Sequence, residues 1–422
     1  MGARFQPESI EKLAEAVSWA AAESIPIEIL GRGSKRGLGR PAQTEYSLDL
    51  SALTGITLYE PDELILSARA GTSMAEIEAA LAEQKQYLAF EPANYAPLLN
   101  GSAAGAAMSG SLGGTVSCNL AGPRRIKAGA ARDHFLGLKG VSGRGEIFQA
   151  GGRVVKNVTG YDLMKLHAGA YGTLSALTDI TVKVLPAPEK TRSVLLFGLD
   201  DAAAVTAMTR AMGSSHEVSA AAHLPAAIAK AFGSSYFPAE SRSVTAIRVE
   251  GPGPSVSHRC AALRSELADL AESEELHSHN SLLLWAQVRD VMPFVSDAQE
   301  GKGEEIAVWR VSVPPARGAD YVAALQEGLG DAAASLRYFF DWSGGLIWLA
   351  LPEGADASYQ PVRAALSGFG GHATLIRATA GLRSRVPVFQ PLEPGIAALS
   401  GRVKSSFDPI GIMNTGRMYV GV

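Results

Sequence analysis

Cysteine is nearly missing from this chain, with only Cys118 and Cys260 among 422 residues. Two cysteines cannot build a disulfide framework, and they lack metal-ligand spacing, so a reducing cytoplasm is the expected setting. Long apolar runs are missing too. No segment approaches the roughly 20 apolar residues of a spanning helix, and the first residues read as an amphipathic helix rather than a charged-then-apolar leader. Direct membrane insertion is therefore not expected, and any membrane attachment would come through a partner. Nor is there an excess of either charge. The formal net charge is -4, and the one basic run, Pro123 to Lys127, is short and lies among glycines, so no nucleic-acid partner is expected.

Glycine, by contrast, is abundant: 45 residues, against a usual share of about 7%. The glycines cluster in 31–39, 101–114 and 137–172. Only glycine tolerates positive φ freely and offers no Cβ to an approaching ligand, so these clusters mark backbone that turns sharply or meets a ligand. With 47% hydrophobic and 19% charged residues, the chain can fill a large core and need not be disordered.

Apolar spacing predicts a helix over 8–24 and a short strand at 27–30. Strands follow at 46–50, 56–59 and 63–69, then a helix over 73–85. Further strands are expected at 135–141, 146–149, 172–177 and 180–185, before Pro186-Ala187-Pro188 breaks the chain. Several strands follow one another directly, so an α+β domain over 1–188 fits better than a strict βαβ ladder. Over 189–385, two β-α-β-type passes predict a small sheet covered by helices, a ferredoxin-like α/β cap domain. The tail, 386–422, returns to the loop chemistry of the first domain. No short-period repeat is evident.

Four segments carry the chemistry. Gly31-Arg32-Gly33-Ser34-Lys35-Arg36-Gly37 directly follows a strand. Its glycines can turn consecutive N–H groups inward as a nest for phosphate oxygens, although the same pattern also makes ordinary surface loops. A dinucleotide fingerprint would need glycine where Arg36 stands, and Pro41 opposes a following helix. Asn100 to Cys118 is built of small residues that leave room for a flat ligand or for tight backbone packing. Gly151 to Thr173 places Lys156, Asn157, Tyr161 and Asp162 beside glycines, with Asp162 a plausible helix N-cap. Lys404 to Met418 is dense in turn residues, which suggests a tail held against something rather than frayed.

In this order, the four segments resemble the vanillyl-alcohol-oxidase, or PCMH-type, family of FAD-binding flavoproteins. More closely, the chain is similar to the FAD-binding subunits of glycolate oxidase. The likeness runs through Ser111–Gly114, Ala121–Arg125, Gly129–Asp133 and Lys156–Asp162, and in the cap through Trp285–Arg289, Trp309–Pro314 and Gly371–Thr374. The resemblance implies that the loop from Gly31 to Gly37 wraps the FAD diphosphate through backbone amides. It also implies that Gly113, Gly114, Thr115 and Ser117 line the cofactor and that the tail brings Asn414 towards the flavin. Thr415 stands where the family carries proline. The first loop has no histidine, so noncovalent FAD is expected, with Cys118 packed rather than flavin-linked.

A His-x-Gly-Asp-Gly-Asn-x-His run, which binds metal in related catalytic dehydrogenases, is absent, and no metal is expected. His277-Ser278-His279 reads as a solvated loop, because two ligands do not make a site. For catalysis, Arg310 and Arg289 offer bidentate forks for a substrate carboxylate, beside Trp309 and near Trp285, although arginines near aromatics are also common in structure. His372 titrates near neutrality and could take a hydroxyl proton, or else be a satisfied core histidine. The reading that follows is a subunit oxidising glycolate, a small 2-hydroxy acid, to glyoxylate by hydride transfer to FAD. It would work alongside a catalytic flavoprotein subunit and an iron–sulfur subunit. The alternatives are a self-sufficient D-2-hydroxy-acid dehydrogenase and a non-catalytic assembly subunit that retains the flavin fold.

Overall fold

The computed structural model describes residues 3–101, 109–152, 160–232, 242–295 and 305–421; Lys156 and Asn157 lie outside these. Two compact units emerge. One comprises Met1–Ala121, Gly129–Ala187 and Pro387–Val422, and the other Gly122–Ala128 and Pro188–Val386.

The first unit opens with the helix Ile10–Ala22, capped by Ser9, whose side chain accepts from the Lys12 N–H. Ile10, Leu13, Val17 and Ala20 recur at helical spacing and are all buried, packed with Ile27, Leu48, Ile412 and Met413. Each isoleucine, leucine or valine among them contributes on the order of 2 kcal/mol by leaving water. Beneath them lies a parallel three-stranded sheet ordered Ala3–Phe5, Tyr46–Asp49, Ile27–Leu30. A second, antiparallel sheet runs in the order Ile56–Glu60, Ile65–Arg69, Ser175–Lys183, Phe135–Ser142, Ile147–Gly151.

Ser175–Lys183 is one continuous strand where two were expected. Asp179 does not break it, because the ladder sets Asp179 opposite Arg69 on one neighbour and Lys139 on the other, cross-strand partners of opposite charge. The tail holds a helix that the sequence reading missed, Pro394–Phe407. Glycines at 395 and 401 and a nearly solvated surface hide its periodicity, and Lys404 is its only buried residue.

The second unit is a single eight-stranded antiparallel sheet, larger than the small sheet expected. It consists of two consecutive βαββαβ passes. The first runs through Lys190–Phe197, Asp201–Met212, Ala220–Leu224, Val244–Gly251, Gly253–Glu266 and Ser273–Leu276. The second runs through Ile306–Ser312, Gly318–Leu329, Arg337–Asp341, Leu346–Pro352, Tyr359–Ala364 and His372–Arg377. In each quartet the fourth strand lies beside the first, the first beside the third and the third beside the second. The two second strands meet at the pair His223↔Phe340. Two β-α-β-type passes were expected, and each proves to be a four-stranded βαββαβ unit. Ala220–Leu224 was missed because its alanines carry helical rather than strand propensity. His277 to His279 is not a loop: His277 is the N-cap of the helix Ser278–Arg289.

Inside this unit, Glu250 is paired with Arg124 and lies 3.8 Å from the buried Arg248. Burial pushes the Glu250 pKa up, but Arg248 and Arg124 outweigh it and hold the carboxyl below its ordinary 4.5. A depressed carboxylate stabilises the fold above the unfolded-state value, and that contribution fades as pH falls through the folded one. Glu250→Gln is therefore expected to cost about 3 kcal/mol at pH 7, where it removes the carboxylate that Arg248 and Arg124 share. The gap to wild type should narrow as pH drops below 4.5. Denaturant unfolding followed by tryptophan fluorescence across that range measures it, and a pH-independent gap would refute the assignment.

Candidate cofactor site and cap cluster

Ile27–Leu30 delivers the chain into the glycine loop, which Glu28 organises. This carboxylate is 3% exposed and accepts two hydrogen bonds from Arg36, at 3.0 and 2.5 Å. It also stands 3.8 Å from Arg417. Arg417 in turn donates to the carbonyls of Arg36, at 2.9 Å, and Lys35, at 3.4 Å. Loop carbonyls are thus occupied on one side. The N–H groups of Arg32, Gly33, Ser34 and Lys35 have no acceptor among the described residues. Gly33 makes the turn at φ +76, a conformation that a Cβ would strain.

Small residues keep the space beside this loop clear. A Cβ on Gly31 would stand 2.4 Å from the Ser111 hydroxyl oxygen, and one on Gly113 would stand 2.9 Å from the Ala70 carbonyl oxygen. Ser111 caps the short helix Leu112–Ser117 by accepting from the Gly114 N–H, and the Gly113 N–H donates to the Ala70 carbonyl. Gly113 and Gly114 therefore contribute close approach rather than free amides.

The tail closes the far side. Asn414, at φ 42, accepts from the Ile29 N–H at 2.7 Å through its side-chain oxygen and donates to the Tyr171 carbonyl at 2.7 Å. It is held there by Lys404, whose ammonium donates to the Thr173 carbonyl (2.6 Å), the Asp408 carboxylate (2.6 Å) and the Met413 carbonyl (2.8 Å).

The result is a pocket that brings together Gly31, Arg32, Gly33, Ser34, Lys35, Arg36, Gly113, Gly114, Ser117 and Asn414. Gly37 and Thr115 stand off it. Gly37 lies against Leu99, and Thr115 is buried with its hydroxyl unpartnered among the described residues. Cys118 lines the wall rather than packing away from it. Burial pushes its thiol pKa up, only partly offset by Lys35 and Arg417, so it stays protonated at neutral pH.

Tyr171, Ser175 and Arg417 were missed from sequence; Arg417 had a signal, a lone cation in the turn-rich tail. Two lining atoms, Ser175 Oγ and Arg417 Nη1, are buried without a hydrogen-bond partner among the described residues, and such groups call for one. Free amides, unspent donors and glycine-cleared space suit a dinucleotide diphosphate.

On the second unit, Arg310 stands over the Trp342 ring, 4.9 Å from its centroid. Its sequence neighbour Trp309 faces the other way and donates to the Ala357 carbonyl, because successive strand residues alternate faces. Arg289 is paired with Asp290 at 2.7 Å. Trp285 is bound to Ser193 beneath Arg248. His372 keeps solvent access on an edge strand, so it is not the core histidine that was one of its two readings. Desolvation of its ring, then the charges of Arg310 and Arg125, lower its pKa, leaving it neutral at pH 7. Among the described residues no cluster of three His, Cys, Asp or Glu could hold a metal ion, and no helix is long and apolar enough to cross a membrane.

The fold and the pocket define a flavin-dependent oxidoreductase with a PCMH-type FAD-binding fold. Residues 2–151 match the FAD binding domain family. The fold recurs in 4-ethylphenol oxidase from Gulosibacter chungangensis, with a TM-score of 0.74 at 15% identity over 99% of this chain and 89% of that one. It recurs also in p-cresol methylhydroxylase, with a TM-score of 0.70 at 14% identity over 99% and 88%. In sequence, the chain is 32% identical to the glycolate oxidase subunit GlcE of Escherichia coli (strain K12) across 97% of both chains. It is 30% identical to the glycolate oxidase subunit GlcD of Bacillus subtilis (strain 168), over 47% of this chain and 40% of that one. The chain belongs to the family of the glycolate oxidase subunit GlcE.

Proposed function

We propose that this chain is the FAD-binding subunit of a glycolate oxidase-type complex that oxidises glycolate to glyoxylate and passes the electrons to a partner subunit. The observation that carries the reading is the pocket of unspent amides and donors, set in a chain that matches a glycolate oxidase subunit over 97% of both chains. FAD, bound noncovalently, supplies the two-electron acceptor for the substrate's hydride. The chain's own groups do the rest. The amides of Arg32 to Lys35 and the Lys35 ammonium hold the diphosphate, while Asn414 fixes the pocket's far wall. Arg310 presents a fork to the substrate carboxylate. His372, neutral at pH 7, accepts the hydroxyl proton at a ring nitrogen. Arg289, paired with Asp290, is the weaker candidate for a carboxylate. The partners in this reading are a catalytic flavoprotein subunit and an iron–sulfur subunit, and any membrane association of this cytoplasmic chain runs through them.

The test is anaerobic addition of glycolate to the purified chain, alone and with its partners, while the flavin absorbance is followed. Bleaching in the complex is expected. A flavin that stays oxidised in the complex sinks the reading, and bleaching of the isolated chain would make it a self-sufficient dehydrogenase.

A further inference from the structure

Three rings from separate stretches of the first unit meet at His167. Its ring lies 5.6 Å from that of Phe148, on the strand Ile147–Gly151, and 5.0 Å from that of Phe407, the last residue of the tail helix Pro394–Phe407. Phe148 and Phe407 are 6.0 Å apart. His167 ends the short helix Leu163–His167 and is only 3% exposed. Its Nδ1 donates to the Leu163 carbonyl at 2.8 Å; a carbonyl only accepts, so Nδ1 carries the ring proton. Nε2 keeps its lone pair, buried and without a hydrogen-bond partner among the described residues.

Both segments that close the cofactor pocket start from this cluster. From His167 the chain leads to Tyr171 and Thr173, whose carbonyls accept from Asn414 and Lys404. From Phe407, whose carbonyl accepts from the Gly143 N–H at 2.9 Å, it leads through Asp408 to Asn414. The charged groups of the surrounding elements are engaged elsewhere. On the helix of His167 itself, Lys165 pairs with Asp162 at 2.7 Å, and on the tail Lys404 pairs with Asp408 at 2.6 Å. Ile147–Gly151 carries no titratable side chain. On Phe135–Ser142, Lys139 stands opposite Asp179. On Ala131–His134, Asp133 accepts from the Ala130 N–H at 2.8 Å with Arg132 3.9 Å away, and His134 packs on Phe90. What acts on the His167 ring is desolvation, which holds its pKa below the ordinary 6.5, and then the Leu163 bond, which restores only part; no charge is among the causes.

We propose that His167 is a pH-sensitive latch on the cofactor site: neutral, it seals the tail helix against the antiparallel sheet, and protonated, it frees the tail and lets FAD go. A proton on Nε2 would set a charged donor among apolar rings with no acceptor to meet it. The ring reaches water only by parting from Phe407, and Phe407 is the root of the turn that ends in Asn414. A depressed imidazole leaves closure at full strength above 6.5, and closure weakens as pH falls from there through the lower value of the folded chain. The latch requires FAD in the pocket and is independent of which substrate the flavin oxidises.

The probe is FAD itself, titrated against the full chain by flavin fluorescence at about pH 7.5 and about pH 5.5, either side of the imidazole range. Wild type is expected to bind FAD tenfold or more weakly at the lower pH. His167→Phe fills the slot and takes no proton, so its affinity should change by less than twofold. His167→Gln should be equally flat, and it carries the test if far-UV dichroism shows that the phenylalanine variant is misfolded. Hydrogen exchange, corrected for its intrinsic pH dependence, should quicken over residues 394–414 at the lower pH in wild type and in neither variant. A wild-type affinity that is the same at both pH values overturns the proposal, as does a folded variant that follows the wild-type profile. So does FAD loss with the tail's exchange unaltered, or collapse of the whole far-UV signal at the lower pH, which is acid unfolding and not release of the tail.

Discussion

Lys404→Met is expected to remove about 3–5 kcal/mol of stability, the usual penalty for stranding one member of a buried ion pair, and to strip the protein of FAD. The side chains of Lys404 and Asp408 are 8% and 0% exposed. Burial lowers the lysine pKa and Asp408 only partly restores it, so its charge depends on the carboxylate beside it. Asp408 also accepts from the N–H groups of Gly411, Ile412 and Met413, so the pair is the knot that shapes the whole turn. Met413 pairs with Ile27 at the start of the strand that delivers the glycine loop, and the next residue, Asn414, braces the pocket. A methionine fills the volume of lysine but makes none of its three hydrogen bonds. The denaturant midpoint and the flavin retained after gel filtration report the two losses. An unshifted midpoint with full flavin content would show that the knot is dispensable.

Lys35→Glu is expected to weaken FAD binding by two orders of magnitude or more while leaving riboflavin affinity nearly unchanged. Among the described residues the Lys35 ammonium has one side-chain hydrogen-bond partner, the Ser34 hydroxyl at 3.5 Å, and no carboxylate within ion-pair distance. Its side chain fits because Gly110 has no Cβ, which would otherwise stand 2.4 Å from the ammonium nitrogen. Burial lowers its pKa, as expected of a cation waiting for an anion. The other cations of the pocket are engaged: Arg36 with Glu28, Arg32 with the Ser109 carbonyl, and Arg417 mainly with loop carbonyls. At an effective dielectric of about 20, one reversed charge near a diphosphate amounts to several kcal/mol. Riboflavin, lacking the diphosphate, separates that term from loss of the fold. Flavin fluorescence quenching gives both affinities, and equal weakening of the two ligands would show that Lys35 serves structure rather than the diphosphate.

The glycine loop was legible because its signal is local: a strand, then residues that only a turn with inward amides requires. Asn414 was legible only through resemblance, since nothing near it in the chain reveals that it meets Ile29, 385 residues away. Glu28 was hidden for a related reason. A glutamate within Ile27–Leu30 reads as the solvent face of an alternating strand, whereas it is buried because Arg36 and Arg417 neutralise it. In the cap, Arg310 was set beside the wrong tryptophan. Proximity in sequence suggested Trp309, and strand alternation sends that ring to the opposite face.

Joining Asn414 to Ile29 also orders events in time. A ribosome that has made the entire glycine loop has still to add the segment that encloses the ligand, and the lysine that secures it. Until residues 404–417 emerge, the half-built nest offers diphosphate amides on one side only, and closing so long a loop is slow. Flavin loading is therefore expected to follow release of the finished polypeptide rather than accompany its synthesis. In a cell starved of riboflavin, the species that accumulates should be a completed apoprotein, not an arrested nascent chain.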